Sequence, residues 1–238
     1  MTLRLRNPLL LLALLVSLSV CAFGQGTFRN LDFESANVAG YSTGDVPIAD
    51  ALPGWKGYLG TFEIDWVIYN TVSLGAAAVS LHSSNSMFPP IAGNYSVGLQ
   101  SAFGVAPDGT AAVGQTGQIP STALSLRFFG DTNMQVTYNG HLLTLFELGR
   151  GTDYQIVGAD ISGFAGQTGE LKFLMPDLTP VGSSSSYLDN IQFSTQSIPE
   201  PGTLGLFAIG TLFLAYRSQR TPNVVKSRSH CHVAGILR

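Results

Sequence analysis

Met134-Gln135-Val136-Thr137-Tyr138-Asn139-Gly140-His141-Leu142-Leu143-Thr144-Leu145-Phe146-Glu147-Leu148 is the stretch that decides the fold class. Met134, Val136 and Tyr138 alternate with polar residues, the period-two pattern of a strand with one buried face. Asn139-Gly140 then supplies two residues that tolerate positive φ, the signature of a type I′ turn. The spacing predicts an antiparallel hairpin in which His141–Leu148 is the returning strand.

Alternation continues on both sides of this hairpin. Phe62, Ile64, Trp66 and Ile68 share one face of 61–69, with Glu63 and Asp65 on the other. Tyr95, Val97 and Leu99 repeat the pattern, as do Leu124, Leu126 and Phe128, then Leu171, Phe173 and Met175, then Tyr187 to Ser194. Trp66 falls on the apolar face and is assigned to the core. A short helix is allowed around Ala76-Ala77-Ala78, and Ser183 to Ser186 read as a flexible loop. Roughly eight to ten short strands, with no internal repeat, predict an all-β fold, an antiparallel jelly-roll β-sandwich with a single core.

Composition narrows the function. The chain has 238 residues, 12 Lys+Arg against 15 Asp+Glu, 45% hydrophobic and 11% charged residues. That excludes a disordered polyelectrolyte and a basic nucleic-acid binder. The charge is unevenly spread: residues 26–198 hold five basic residues and fourteen acids, a net of −9. Cys21 and Cys231 are too far apart in sequence to mark a disulfide scaffold or a CxxC metal site.

The two ends read as addresses. Arg4 and Arg6 precede the apolar run Leu9 to Val20, and Ala22-Phe23-Gly24 supplies small residues at −3 and −1, so cleavage of a signal peptide 1–24 is expected before Gln25. Residues 25–194 form the ectodomain and 195–198 a linker. Pro199-Glu200-Pro201 then precedes the apolar stretch Gly202 to Tyr216 and the basic residues Arg217 and Arg220. Fifteen residues at ~1.5 Å rise span about 22 Å, short of a ~30 Å hydrocarbon core, so local thinning and snorkelling flanks are required. Arg217, Arg220, Lys226 and Arg228 place the C-terminal side, including the tail 221–238, in the cytoplasm.

Residues 199–220 resemble the PEP-CTERM sorting signal of exported bacterial proteins: the tripeptide Pro199-Glu200-Pro201, a short hydrophobic helix, and a basic cluster at Arg217 and Arg220. The resemblance implies processing by a membrane protease of the exosortase type, an inner-membrane intermediate, and delivery to the cell surface or exterior, usually alongside exopolysaccharide. This chain departs from that pattern by continuing past its arginines to Arg238. The ectodomain is also similar to galactose-binding-like jelly rolls of carbohydrate-binding modules. That similarity rests on Asn30-Leu31-Asp32-Phe33-Glu34, Pro53-Gly54-Trp55 and Tyr187-Leu188-Asp189-Asn190-Ile191-Gln192-Phe193-Ser194.

No catalytic residues are assigned. Ser96 misses the G-x-S-x-G spacing by one residue, and His82 and His141 read as separate surface histidines. Glu63 and Asp65, on one strand face, are the carboxylate pair of a glycan-hydrolase alternative. Trp55 and Tyr58, in a Gly/Pro-bearing loop, are the candidate sugar platforms of a carbohydrate-binding alternative. If Tyr187, Ile191 and Phe193 face the core, Asp189 shares that face and needs partners. These are calcium, shared with Asp32 or Glu34 as related jelly rolls hold it, or backbone N–H groups, or Arg29. No other cofactor is expected. The leading reading is a non-enzymatic exported protein, structural or adhesive in an extracellular polysaccharide.

Overall fold

A computed structural model of the chain describes residues 23–24, 26–102, 109–178 and 182–198. The sorting residues Pro199, Glu200, Pro201, Arg217 and Arg220, the expected membrane helix 202–216, the tail 221–238 and residues 1–22 of the expected signal peptide lie outside them. Among the described residues no helix is long and apolar enough to cross a membrane.

The described residues form β1 Phe23–Gly24, β2 Gly44–Pro47, β3 Lys56–Leu59, β4 Phe62–Ile64, β5 Trp66–Tyr69, β6 Ala78–Ser83, β7 Tyr95–Gln100 and β8 Ala111–Gln118. They continue as β9 Ser125–Gly130, β10 Gln135–Tyr138, β11 His141–Leu142, β12 Phe146–Arg150, β13 Gln155–Asp160, β14 Thr168–Met175 and β15 Ser185–Ser194. A single turn of helix, α1 Ile48–Ala51, follows β2.

The strands make two sheets packed as a sandwich. The larger has the order β12-β13-β9-β15-β7-β6-β5-β2, with β1 also on β15; the smaller has the order β11-β10-β14-β8-β3-β4. From β8 onward the chain passes repeatedly from sheet to sheet, which is jelly-roll connectivity. Pairings are antiparallel except β5 with β6, which run parallel. β1 bridges Ser194 and Phe193 and ends just before Gln25, so the expected cleavage there would remove this bridge.

The central hairpin turn forms as the sequence demands. Asn139 and Gly140 take φ of 48° and 78°, and Tyr138 faces His141 across the turn. The returning strand is shorter than expected, however. β11 stops at Leu142, where the Leu143 N–H donates back to the Val136 carbonyl at 2.8 Å and its side chain buries. Residues 146–150 then cross to the larger sheet as β12.

Residues 61–69 likewise form two strands, not one. The chain breaks at Asp65: β4 pairs with β3 in the smaller sheet, while β5 pairs with β2 and β6 in the larger. Changing sheets changes the phase of burial. Val67 and Tyr69 point inward, leaving Phe62 64% and Trp66 40% exposed; the assignment of Trp66 to the core is therefore reversed. Ala78 opens β6, with no helix at 76–78, and Ser185 and Ser186 belong to β15, not to a loop.

The core lies between the sheets. Val79, Leu81, Val97, Leu99, Leu126 and Phe128 of the larger sheet meet Val113, Val136, Tyr138, Leu171 and Phe173 of the smaller. Phe128 and Phe173 touch edge to face at 5.2 Å. Each fully buried side chain of this size contributes about 1.5–3 kcal/mol of transfer free energy. With no cysteine in 26–198, this packing carries the stability.

Candidate functional site

The three motifs that carry the jelly-roll similarity converge in space. The Trp55 indole N–H donates to the Asn30 carbonyl (2.9 Å), the Asn30 amide donates to the Pro53 carbonyl (3.3 Å), and the Ile191 N–H donates to the Leu31 carbonyl (2.9 Å). Phe33, at φ 58°, packs against Trp55 with the rings tilted by 45° and 5.5 Å apart, and Trp55 reaches Phe173 at 6.3 Å. Trp55 is 4% exposed. It clasps the first segment to the smaller sheet, beside the Ile191–Leu31 bond that joins the first and last segments, and it has no face to offer a sugar.

Tyr58 is half-buried within β3, not in a loop. Its hydroxyl donates to Glu170 at 3.0 Å, and the Lys172 ammonium lies 3.9 Å from its ring centroid. Burial and the Glu170 carboxylate push its pKa up to about 12. One face of the ring is thus taken by a cation. Glu63 pairs with Lys56 at 2.8 Å, and the break at Asp65 separates the two acids that the hydrolase alternative places on one strand face.

Asp189 is buried, but not on the core face. Its neighbour Leu188 points inward, while Tyr187 and Asp189 point to the outer face of the larger sheet. Asn190, at φ 48°, makes a bulge that resets the phase and returns Ile191 and Phe193 to the core. Asp189 Oδ2 accepts from Ser96 Oγ (2.7 Å) and the Ala92 N–H (3.0 Å), and Oδ1 accepts from the Asn190 N–H (2.6 Å). Even so, burial outweighs these bonds and holds its pKa up at about 6.

Glu34 anchors the same loop, accepting from the Asn94 and Tyr95 N–H groups at 2.7 and 3.1 Å. The exposed Asp32 turns back to the Glu34 N–H at 3.4 Å. Among the described residues, no group of three His, Cys, Asp or Glu could hold a metal ion. The oxygens of Asp189 and Glu34 face backbone N–H groups, the Ser96 hydroxyl and the Asn94 side-chain amide, which is largely the backbone-partner alternative and a poor fit to calcium.

His82 departs furthest from its expected place. It is 2% exposed, lying on the outer face of β6 beneath residues 84–91. Its two ring nitrogens share 2.7 Å hydrogen bonds with Ser80 and Ser86. Burial depresses its pKa to about 4. Gly98 of β7, opposite Ser80 of β6 and Tyr187 of β15, makes the room: a Cβ there would collide with Ser80 Oγ and lie 2.9 Å from His82 Nε2. Across that gap His82 meets Tyr187 edge-on at 5.3 Å, and Phe88 closes the cluster at 5.8 Å from Tyr187.

Tyr187 is where three adjoining clefts meet, on the outer face of the larger sheet. One, of about 350 Å³, is lined by Asp131, Arg150, Tyr154, Gln155 and Ser185. A second, of about 370 Å³, lies between Phe88, Pro90, Ile91, Asp153 and Tyr154. The third, of about 270 Å³, runs over Ser80, His82, Met87 and Gln100. Each is near the lower end of the ~300–1,000 Å³ typical of ligand sites. The sequence signal for this groove was faint, because its walls come from several loops and strands far apart in the chain. The pairing of small Gly98 with large Tyr187 shows only once the register is known.

Residues 197–220 match the PEP-CTERM protein-sorting motif. No curated protein matches the chain. The motif supports sorting of an exported protein, with membrane anchoring and an exosortase-type processing partner.

Proposed function

We propose that this chain is a non-enzymatic cargo protein whose β-sandwich is delivered to the cell surface or exterior and serves there as a structural or adhesive element of an extracellular polysaccharide matrix. The observation that carries this reading is the sorting motif beginning at residue 197, three residues after the last strand ends at Ser194. So short a connection supports a sandwich that folds outside the membrane while the motif is read. The groove around Tyr187 supports adhesion, since it combines aromatic rings with groups that form directional hydrogen bonds.

Replacement of Pro199, Glu200 and Pro201 together by alanine tests the reading. In a host with an exosortase, the substituted chain is expected to accumulate at full length in the membrane fraction, with surface protein reduced. An unchanged surface yield and an unchanged product mass would overturn it.

A further inference from the structure

We infer that the groove centred on Tyr187 binds a neutral oligosaccharide across more than one sugar ring, with Tyr154 and Tyr187 as its platforms. This rests on the adhesive reading and names its ligand.

Three observations converge. First, the two tyrosines are half-buried side by side along the same clefts, and their hydroxyls make no hydrogen bond among the described residues; Tyr95, outside the groove, shares that property, whereas the hydroxyls of Tyr58, Tyr69 and Tyr138 are all engaged. Burial raises the Tyr187 pKa to about 12, so its hydroxyl stays protonated as a donor. Second, Tyr154 is backed by Phe129 at 4.6 Å and Tyr187 by His82 and Phe88. Both rings are therefore held in fixed orientation at little entropic cost on binding.

Third, the charge selects the class. Among the described lining residues the one cation is Arg150, and Glu147 engages it through two bonds of 2.6 and 2.7 Å. Asp131 and Asp153 line the same cleft, and Asp153 is exposed with no partner among the described residues. A uronate or sulfate entering here meets carboxylates and an already neutralised guanidinium. A neutral sugar meets acceptors suited to its hydroxyls. Clefts that join at one tyrosine, each of some 270–370 Å³, fit successive rings of a chain better than a single monosaccharide.

The test is affinity electrophoresis of the purified full-length chain through gels containing laminarin, dextran or xyloglucan (neutral), alginate (anionic) or chitosan (cationic), at one ionic strength. Retardation by at least one neutral polymer is expected, weakened about tenfold in Tyr154→Ala, as for a central aromatic contact, and unchanged in Phe62→Ala. Asp131→Asn with Asp153→Asn is expected to gain retardation by alginate. Retardation by alginate or chitosan alone, by no polymer, or equally lost in Phe62→Ala would overturn the inference. Because the sorting variant 199–201 keeps the groove intact, failure of sorting and failure of binding are read separately.

Discussion

Trp55→Ala is expected to lower the stability of the domain by about 3–5 kcal/mol, the range for truncating a buried large aromatic. The residue closes the clasp: its N–H is bonded to Asn30, and its ring lies between Phe33 and Phe173. Of the 5–15 kcal/mol that holds a typical domain together, that is a large share. Trp55→Phe separates the two contributions, keeping most of the packing and leaving the Asn30 carbonyl unpaired at a cost of about 1–2 kcal/mol. Denaturant midpoints of the two variants measure this. A sugar platform would behave oppositely, with an unchanged midpoint and lost affinity, and that outcome would remove the clasp from the account.

The second large effect is a pair of opposed pH dependences beneath one loop. Asp189 has its native pKa raised from 3.8 to about 6, first by burial, with the Glu34 charge adding to it. Its contribution is fully favourable below pH 4 and is lost as pH rises through 6. His82 has its native pKa lowered from 6.5 to about 4, again by burial. Its contribution is present above pH 6.5 and is lost as pH falls through 4. Each shift is worth about 3 kcal/mol, and between pH 4 and 6.5 the two nearly cancel. His82→Gln is therefore expected to lose stability relative to wild type as pH rises from 4 to 7, and Asp189→Asn to gain it. Unfolding free energies at four pH values, each taken as variant minus wild type, remove the background from the other carboxylates. Parallel curves for both variants would show that neither group titrates as its burial demands.

How much of this was legible in the sequence differs from element to element. The Asn139-Gly140 turn was, because two adjacent residues with positive φ admit few local structures. The inward faces of Met134 to Tyr138 and of Leu171 to Met175 were legible too, because each strand stays in one sheet along its length. Residues 61–69 misled for the opposite reason: the alternation is continuous, but the chain changes sheets at Asp65 and the buried phase changes with it. Asp189 was expected to be buried and is, yet on the other face, because a single bulge at Asn190 inverts the parity of everything after it. His82 looked like a surface residue, since nothing in β6 itself says that residues 84–91 fold over it. The groove was the least legible of all. Two whole strands, β13 and β14, separate Tyr154 and Tyr187 in the chain, and the two line the same clefts only through the order β13-β9-β15.

The motifs that looked most like a ligand site, around Asn30, Trp55 and Asp189, instead tie the ends of the domain together. This has a consequence for an exported protein without cysteines in its folded part. A clasp between the first and last segments closes only once the whole domain is present, so the fold is completed only after β15 has been made.

Intact-mass measurement of the chain recovered from medium and from membranes of an exosortase-bearing host tests the central claim most directly. A surface or released product that begins at Gln25 and ends near Pro199–Pro201 is expected. A full-length chain that keeps Arg238 and stays in the membrane, with no shortened product in either fraction, would contradict it.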